Sequence, residues 1–240
     1  MKKRIIFETF CATVVLLLVA GFPRRAQLRP QGQAQVQCSN ENKNQYYGDF
    51  QKNYKGGNRD KAFEAAMKYL ACPDDASDQE DALASLNFAV GRMLSLKNSH
   101  SEAIPYLLKA ATYDSAIKKS PETYYYLADA YEQGPYEKLA AVYRAKFEGN
   151  AETDESKKAL ENLYPIVDRI IDAYARAVAF AGVRPRKTAR RGSLRVGIGS
   201  PTEWMDDLIA WYEFRHKGSD VGLDKLIANI ISQIVHSHSW

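Results

Sequence analysis

Between Asn40 and Ala181 the chain alternates apolar-periodic segments with Gly, Pro and polar breakers. This rhythm restricts the fold more than any other feature. Tyr, Ala and Leu are dense there and β-branched runs are few, so the segments read as helices. The clearest pair covers Asp81 to Ala111. Its first half sets Asn87, Val90, Gly91 and Leu94 at helical intervals and its second Ala103, Leu107 and Ala110, with Asn98-Ser99-His100-Ser101 as the breaker. Another pair opens at Ser120-Pro121-Glu122-Thr123, with Ser as N-cap and Pro at the first helical position. Tyr124, Leu127, Ala128 and Tyr131 follow, then Gly134-Pro135 as a turn, then Leu139 and Tyr143 on a returning helix. The expectation is an all-α chain of antiparallel hairpins.

Three segments share a finer pattern: an aromatic, an apolar residue three later with a small one beside it, and another aromatic beyond. Tyr124-x-x-Leu127-Ala128-x-x-Tyr131, with Gly134 after it, carries the pattern best. Asn87-x-x-Val90-Gly91-x-x-Leu94, followed by Ala103-x-x-x-Leu107, has a weak first position. Tyr47-x-x-Phe50-x-x-x-Tyr54, then Gly56-Gly57-Asn58 and Ala62, is a degenerate copy ending at Pro73. This resembles the tetratricopeptide-repeat family over residues 44–148. The anchors Tyr47, Asn87 and Tyr124 lie 40 and 37 residues apart, longer than the family's ~34. The extra length falls in Asp74–Asp81 and Asp114–Ser120. The other reading is an unrelated helical bundle with aromatic core stripes.

The resemblance implies a short solenoid over residues 40–181, a small residue in each first helix admitting its partner closely. It also implies a concave groove holding a protein or peptide, lined by the first helix of each hairpin. Transferred to this chain, the groove residues are Phe88, Arg92, Ser95, Tyr125, Asp129 and Glu132, with Lys52 from the weaker copy. Tyr124-Tyr125-Tyr126 points in three directions on a helix, so at most two can be core.

Beyond Gly149-Asn150 a long helix is expected from about Asp154 to Phe180, striped by Ala159, Leu163, Val167, Ile170, Tyr174 and Val178. Pro165 either kinks it or marks a fresh start. Residues 182–199 form a basic linker with Arg184, Arg186, Lys187, Arg190, Arg191 and Arg195 and no acid. It reads as a solvated loop, or else as a dock for anionic lipid, wall polymer or an acidic partner. Ser200-Pro201-Thr202-Glu203 is a capping box that opens a helix to about His216. Gly218-Ser219-Asp220 breaks it, and Leu223–Val235 is a last amphipathic helix. Residues 200–240 are thus expected to cap the repeat stack.

The start of the chain has another character. Lys2, Lys3 and Arg4 precede an apolar run, Phe10 to Phe22, and then a Gln-rich segment. That is the order of a secretory signal, and the 13-residue run is short of the ~20 that a spanning helix needs. Residues 1–34 read as a signal peptide, cut after Ala34, or as an uncleaved N-terminal anchor. Cys11 sits inside the run, which argues against lipid attachment there. This segment alone carries +5 against +4 for the whole chain, leaving about −1. The basic balance therefore belongs to the signal and does not indicate nucleic-acid binding. The expected location is periplasmic or secreted, with membrane anchoring as the alternative. Export would place Cys38 and Cys72 in an oxidising compartment. They lie at adjoining ends of an antiparallel hairpin, so a disulfide is expected, with two unpaired thiols as the alternative.

Constellations for chemistry are scarce. His-Glu-x-x-His, Gly-x-Ser-x-Gly and Cys-x-x-Cys do not occur, and Gly197-x-Gly199-Ser200 lacks the residues of a phosphate loop. His100 lies in a turn, His216 at a helix end, and His236-x-His238 in a terminus expected to fray. Asp74-Asp75 and Asp206-Asp207 read as linker and helix-start charges. No catalytic, cofactor or metal site is expected, and the chain reads as an exported protein-interaction adaptor rather than an enzyme. The alternative is a structural subunit of an envelope assembly, with Trp204, Trp211, Tyr212 and Phe214 as its contact surface.

Overall fold

A computed structural model describes residues 38–73, 79–182 and 199–236, without the side chains of 234–236. The segment 1–34 expected to be a signal peptide or anchor, Asp74-Asp75, the arginine-rich stretch 184–195 and His238 lie outside these residues. All regular structure among the described residues is helical.

The first two hairpins form where the breakers place them. α1 (Asn40–Lys55) and α2 (Arg59–Leu70) pack antiparallel across Gly56-Gly57-Asn58. α3 (Glu80–Leu96) and α4 (His100–Ala110) do the same across Asn98-Ser99, with Asn98 in the left-handed region. Gly91 shows why a small residue is needed. A Cβ there would stand 2.6 Å from Leu107 Cγ and 2.8 Å from its Cδ2. Since Leu107 is itself fully buried, it has nowhere to retreat. Gly91→Ala should therefore cost roughly 1–3 kcal/mol despite Ala's better helix propensity. Urea denaturation checks this, and an unchanged midpoint would contradict the close α3–α4 approach.

The third hairpin is where the structure departs from expectation. α5 (Pro121–Tyr131) does not turn at Gly134-Pro135. A π-helical segment, Glu132–Tyr136, carries it directly into α6 (Glu137–Phe147) with helical backbone at each junction. Proline lacks an N–H and its ring collides with the carbonyl four residues back. Widening one turn to i→i+5 bonding absorbs both defects without ending the helix. Gly134 serves close packing: a Cβ would meet Ser101 Oγ at 2.9 Å and its backbone N at 3.0 Å. It thus presses the π-segment against the start of α4.

α6 is consequently no hairpin partner. It buries only Ala140 and leaves Val142 66% exposed. The partner of α5 is α8 (Tyr164–Phe180), reached after the short α7 (Asp154–Glu161). Pro165 marks a fresh start, because the chain breaks at Asn162-Leu163 and proline then occupies the first turn of α8. α9 (Pro201–Arg215) and α10 (Leu223–His236) both lie on α8. The Ser200–Glu203 capping box that opens α9 is formed in both directions. Ser120 sits at the N-cap of α5 without a side-chain bond. Thr123 Oγ1 and Tyr124 OH instead donate to the carbonyls of Ile117 and Lys118, at 2.8 and 2.9 Å.

One apolar core runs through these helices. Leu86, Val90, Leu107, Val167, Ile170, Val178 and Leu208 are fully buried in it. Tyr124 and Tyr126 are core and Tyr125 is half-buried, as a three-tyrosine helical run requires.

Candidate functional site

Two regions collect the residues that the sequence singles out. The first is the flank shared by α1, α3 and α5, where Arg92 is the connector. Its Nε donates to Tyr126 OH and its Nη1 to Tyr54 OH, each at 2.9 Å. One guanidinium thus ties three helices, and its carbon stands 5.6 Å from the centroid of the Tyr126 ring. Burial alone would depress its pKa, but the two phenol oxygens outweigh that and raise it. Arg92 is half-buried and Tyr54 is exposed, so this junction reaches solvent. Tyr54, which the expected groove omitted, is part of it. The signal was present in the sequence, since Tyr54 closes the first copy of the repeat pattern.

The remaining expected groove residues divide. Phe88 and Ser95 are buried, with Phe88 edge-on to Tyr126 at 6.1 Å, so they are packing rather than groove surface. Lys52 is exposed and lies about 200° around α1 from the buried Phe50. The burial of Phe88 and Ser95 corrects the expected groove, with Phe88 turned inward against Tyr126 of α5.

Tyr125, Asp129 and Glu132 belong to the second region, where α9 crosses α5 and α8. Tyr125 stacks on Trp204 with centroids 5.2 Å apart, and Trp204 is buried. Glu132 opens the π-segment, and its Oε2 accepts from Tyr174 OH of α8 and from Trp211 Nε1 of α9, both at 3.2 Å. Trp211 also meets Tyr136 edge-on at 4.6 Å. The expected open groove is therefore covered at this end by the chain's own α9. Asp129 Oδ2 lies 3.4 Å from His100 Nδ1, without hydrogen-bond alignment.

The electrostatics of this second region are unusual. Burial pushes the Glu132 carboxyl up to about 7; Asp207 and Asp129 add to the rise and the Trp211 and Tyr174 bonds oppose it. Asp129 is raised by burial, with His100 opposing. Asp207 rises to about 6 through desolvation and through Asp206 and Glu203, although its residue keeps an open side to solvent. Asp207 is exposed, as its reading as a solvated charge expects, but it sits in the second turn of α9 and not at its start. Burial pushes the Tyr125 phenol up to about 12.

The aromatic surface considered for an envelope assembly is mostly consumed in this packing. Trp204 and Tyr212 are buried, Trp211 is half-buried, and only Phe214 is exposed. Tyr212 OH donates to Val221 O, which fixes the α9–α10 turn.

Cys38 and Cys72 are joined in a disulfide that closes the α1–α2 hairpin, with Cα atoms 5.4 Å apart. Beside it the buried Lys43 donates to Pro73 O at 3.2 Å and stands over the Tyr69 ring. Among the described residues no cluster of His, Cys, Asp or Glu has metal-ligating geometry, and no helix is long and apolar enough to cross a membrane. A cavity of about 200 Å³ lies between the α3–α4 turn and the π-segment, bordered by Ser99, Ser101, Gln133 and Lys138. Comparison with known protein families, with curated proteins and with solved structures finds no match to this chain.

Proposed function

We propose that this is an exported helical-hairpin adaptor that holds a protein or peptide partner on the α1–α3–α5 flank. Tetratricopeptide-like stacking remains part of that reading for the first two hairpins. The observation that carries it is the Tyr54–Arg92–Tyr126 junction, which presents aromatic and cationic groups at the solvent edge of three helices. Fixed aromatics and an arginine whose bonds are already made suit partner recognition, because little side-chain entropy is left to lose. The disulfide supports an oxidising compartment, as export would give. Binding, not chemistry, is the proposed role.

A photo-crosslinking residue at Tyr54, expressed in the native cell, tests the proposal. One dominant protein adduct is expected, lost when Arg92→Ala is added. Adducts at Phe214 with none at Tyr54 would contradict it and favour a contact through α9.

A further inference from the structure

The stretch Glu137–Phe147 is written as an amphipathic helix. Leu139, Val142, Tyr143 and Lys146 recur at i, i+3, i+4 and i+7, so they share one face of α6. A hairpin partner would bury that face against α5, but α8 and α9 pack there instead. α6 runs on from the π-segment and packs chiefly on that segment and on α7. Its apolar face is therefore left in water. Leu139 is 43% exposed and Val142 more so, while Tyr143 is half-buried with its ring 5.3 Å from that of Phe147.

The face continues onto α9. Tyr136, at the base of α6, meets Trp211, and Trp211 meets the exposed Phe214 edge-on with centroids 6.0 Å apart. Trp and Tyr are the side chains that most often carry binding energy at protein interfaces, and an exposed apolar run of this kind marks an interaction surface.

Charge selects the occupant. The cations along the face are ion-paired within the chain: Lys146 with Glu155, Arg144 with Glu137 and Arg215 with Asp168. Lys138, on the far side of α6, donates to Ser101 Oγ at 3.2 Å. Glu213, beside Phe214, is left without a cation among the described residues. A face this close to neutral offers little to the basic stretch 184–195 or to a charged peptide. It can meet an identical face without like-charge repulsion, which a two-fold contact demands.

We propose that α6 is a self-association helix: two copies of this chain pair face to face through Leu139, Val142 and Tyr143 across a two-fold axis, and Phe214 of α9 extends the contact.

Lys146 contributes its aliphatic stem while its ammonium stays with Glu155. Two helices of this length, each about 16 Å, bury less on their own than the roughly 1,200–2,000 Å² of a stable interface. The α9 edge enlarges the contact, and the association is reversible in the micromolar range. Tyr54, Arg92 and Tyr126 are not part of this face, so the inference does not rest on the proposed partner flank.

Sedimentation equilibrium of the full chain tests this between about 1 and 200 µM. The wild type should move from the 27.0 kDa chain mass to twice that value. Val142→Glu sets two carboxylates against each other at the axis and should weaken dimerisation at least tenfold. Because Val142 is exposed, the variant should keep its helical circular dichroism. Phe214→Ser should weaken dimerisation severalfold, whereas Leu108→Glu, an equally exposed apolar site on α4, should leave it unchanged. A wild type that stays monomeric throughout would overturn the proposal, whatever else covers α6. So would a Val142→Glu chain that associates as tightly as the wild type, since the contact would then lie on another surface, the apolar run Phe10–Phe22 included.

Discussion

Breaking the Cys38–Cys72 disulfide should lower the stability of the folded region by about 4 kcal/mol, the value that chain-entropy reasoning gives for a closed loop of this size. The loop spans a sequence separation of 34 and encloses the whole α1–α2 hairpin. Beyond α2 and the cross-link, α1 is tied to α3 by the bond from Arg92 to Tyr54 at the solvent edge. It buries only Lys43 and Phe50, and its packing is almost wholly against α2. Losing the cross-link therefore acts first on α1, which should detach before the rest of the core. The Cys38→Ser/Cys72→Ser double variant in urea, with amide exchange along α1, provides the measurement. A loss below about 1 kcal/mol would mean that α1 is held by contacts the burial pattern does not show.

Glu132→Gln is expected to stabilise the protein by about 2–3 kcal/mol at pH 8 and by less than about 1 kcal/mol at pH 5. The direction follows from the raised carboxyl. In the folded state Glu132 holds its proton up to about 7, whereas the unfolded chain releases it near 4.5. Protons are thus bound more tightly by the folded form. Wild-type stability is full below 4.5 and falls as pH rises through 7. Glutamine removes the charge and keeps an acceptor for Trp211 and Tyr174, so the slope should flatten. Thermal denaturation across this range reads it directly. An equal effect at both pH values would mean that the carboxyl is not buried as described.

Much of the fold was legible in the sequence because it depends on neighbours. The Gly56-Gly57-Asn58 and Asn98-Ser99 breaks, the Ser200–Glu203 box and the Cys38–Cys72 pairing all follow from short-range patterns or from the geometry of one hairpin. Gly91 was readable as a close-approach residue for the same reason. The Gly134-Pro135 pair misled, since the same two residues that make turns can be accommodated by a widened helical turn when glycine faces a neighbouring helix. Once α5 continues into α6, its flank is free for α8 and α9. Neither contact leaves a local trace: Tyr174 is 42 residues from Glu132 and Trp211 is 79. Of the expected groove, Arg92 stays partly exposed, while Tyr125 and Glu132 became the seat of α9. Phe88 and Ser95 were hidden because helical periodicity fixes which residues share a face but not how far that face rotates inward.

The course of the chain from α5 to α6 decides the arrangement, and one distance tests it. Spin labels at Glu122 and Ala145, both exposed, should lie about 30–35 Å apart by pulsed dipolar spectroscopy, the length of a helix of that span running on through its π-segment. A separation under about 15 Å would mean that the chain folds back at Gly134-Pro135 as an ordinary hairpin. In that case α8 and α9 could not occupy the flank assigned to them, and the account of Glu132 would fail with it.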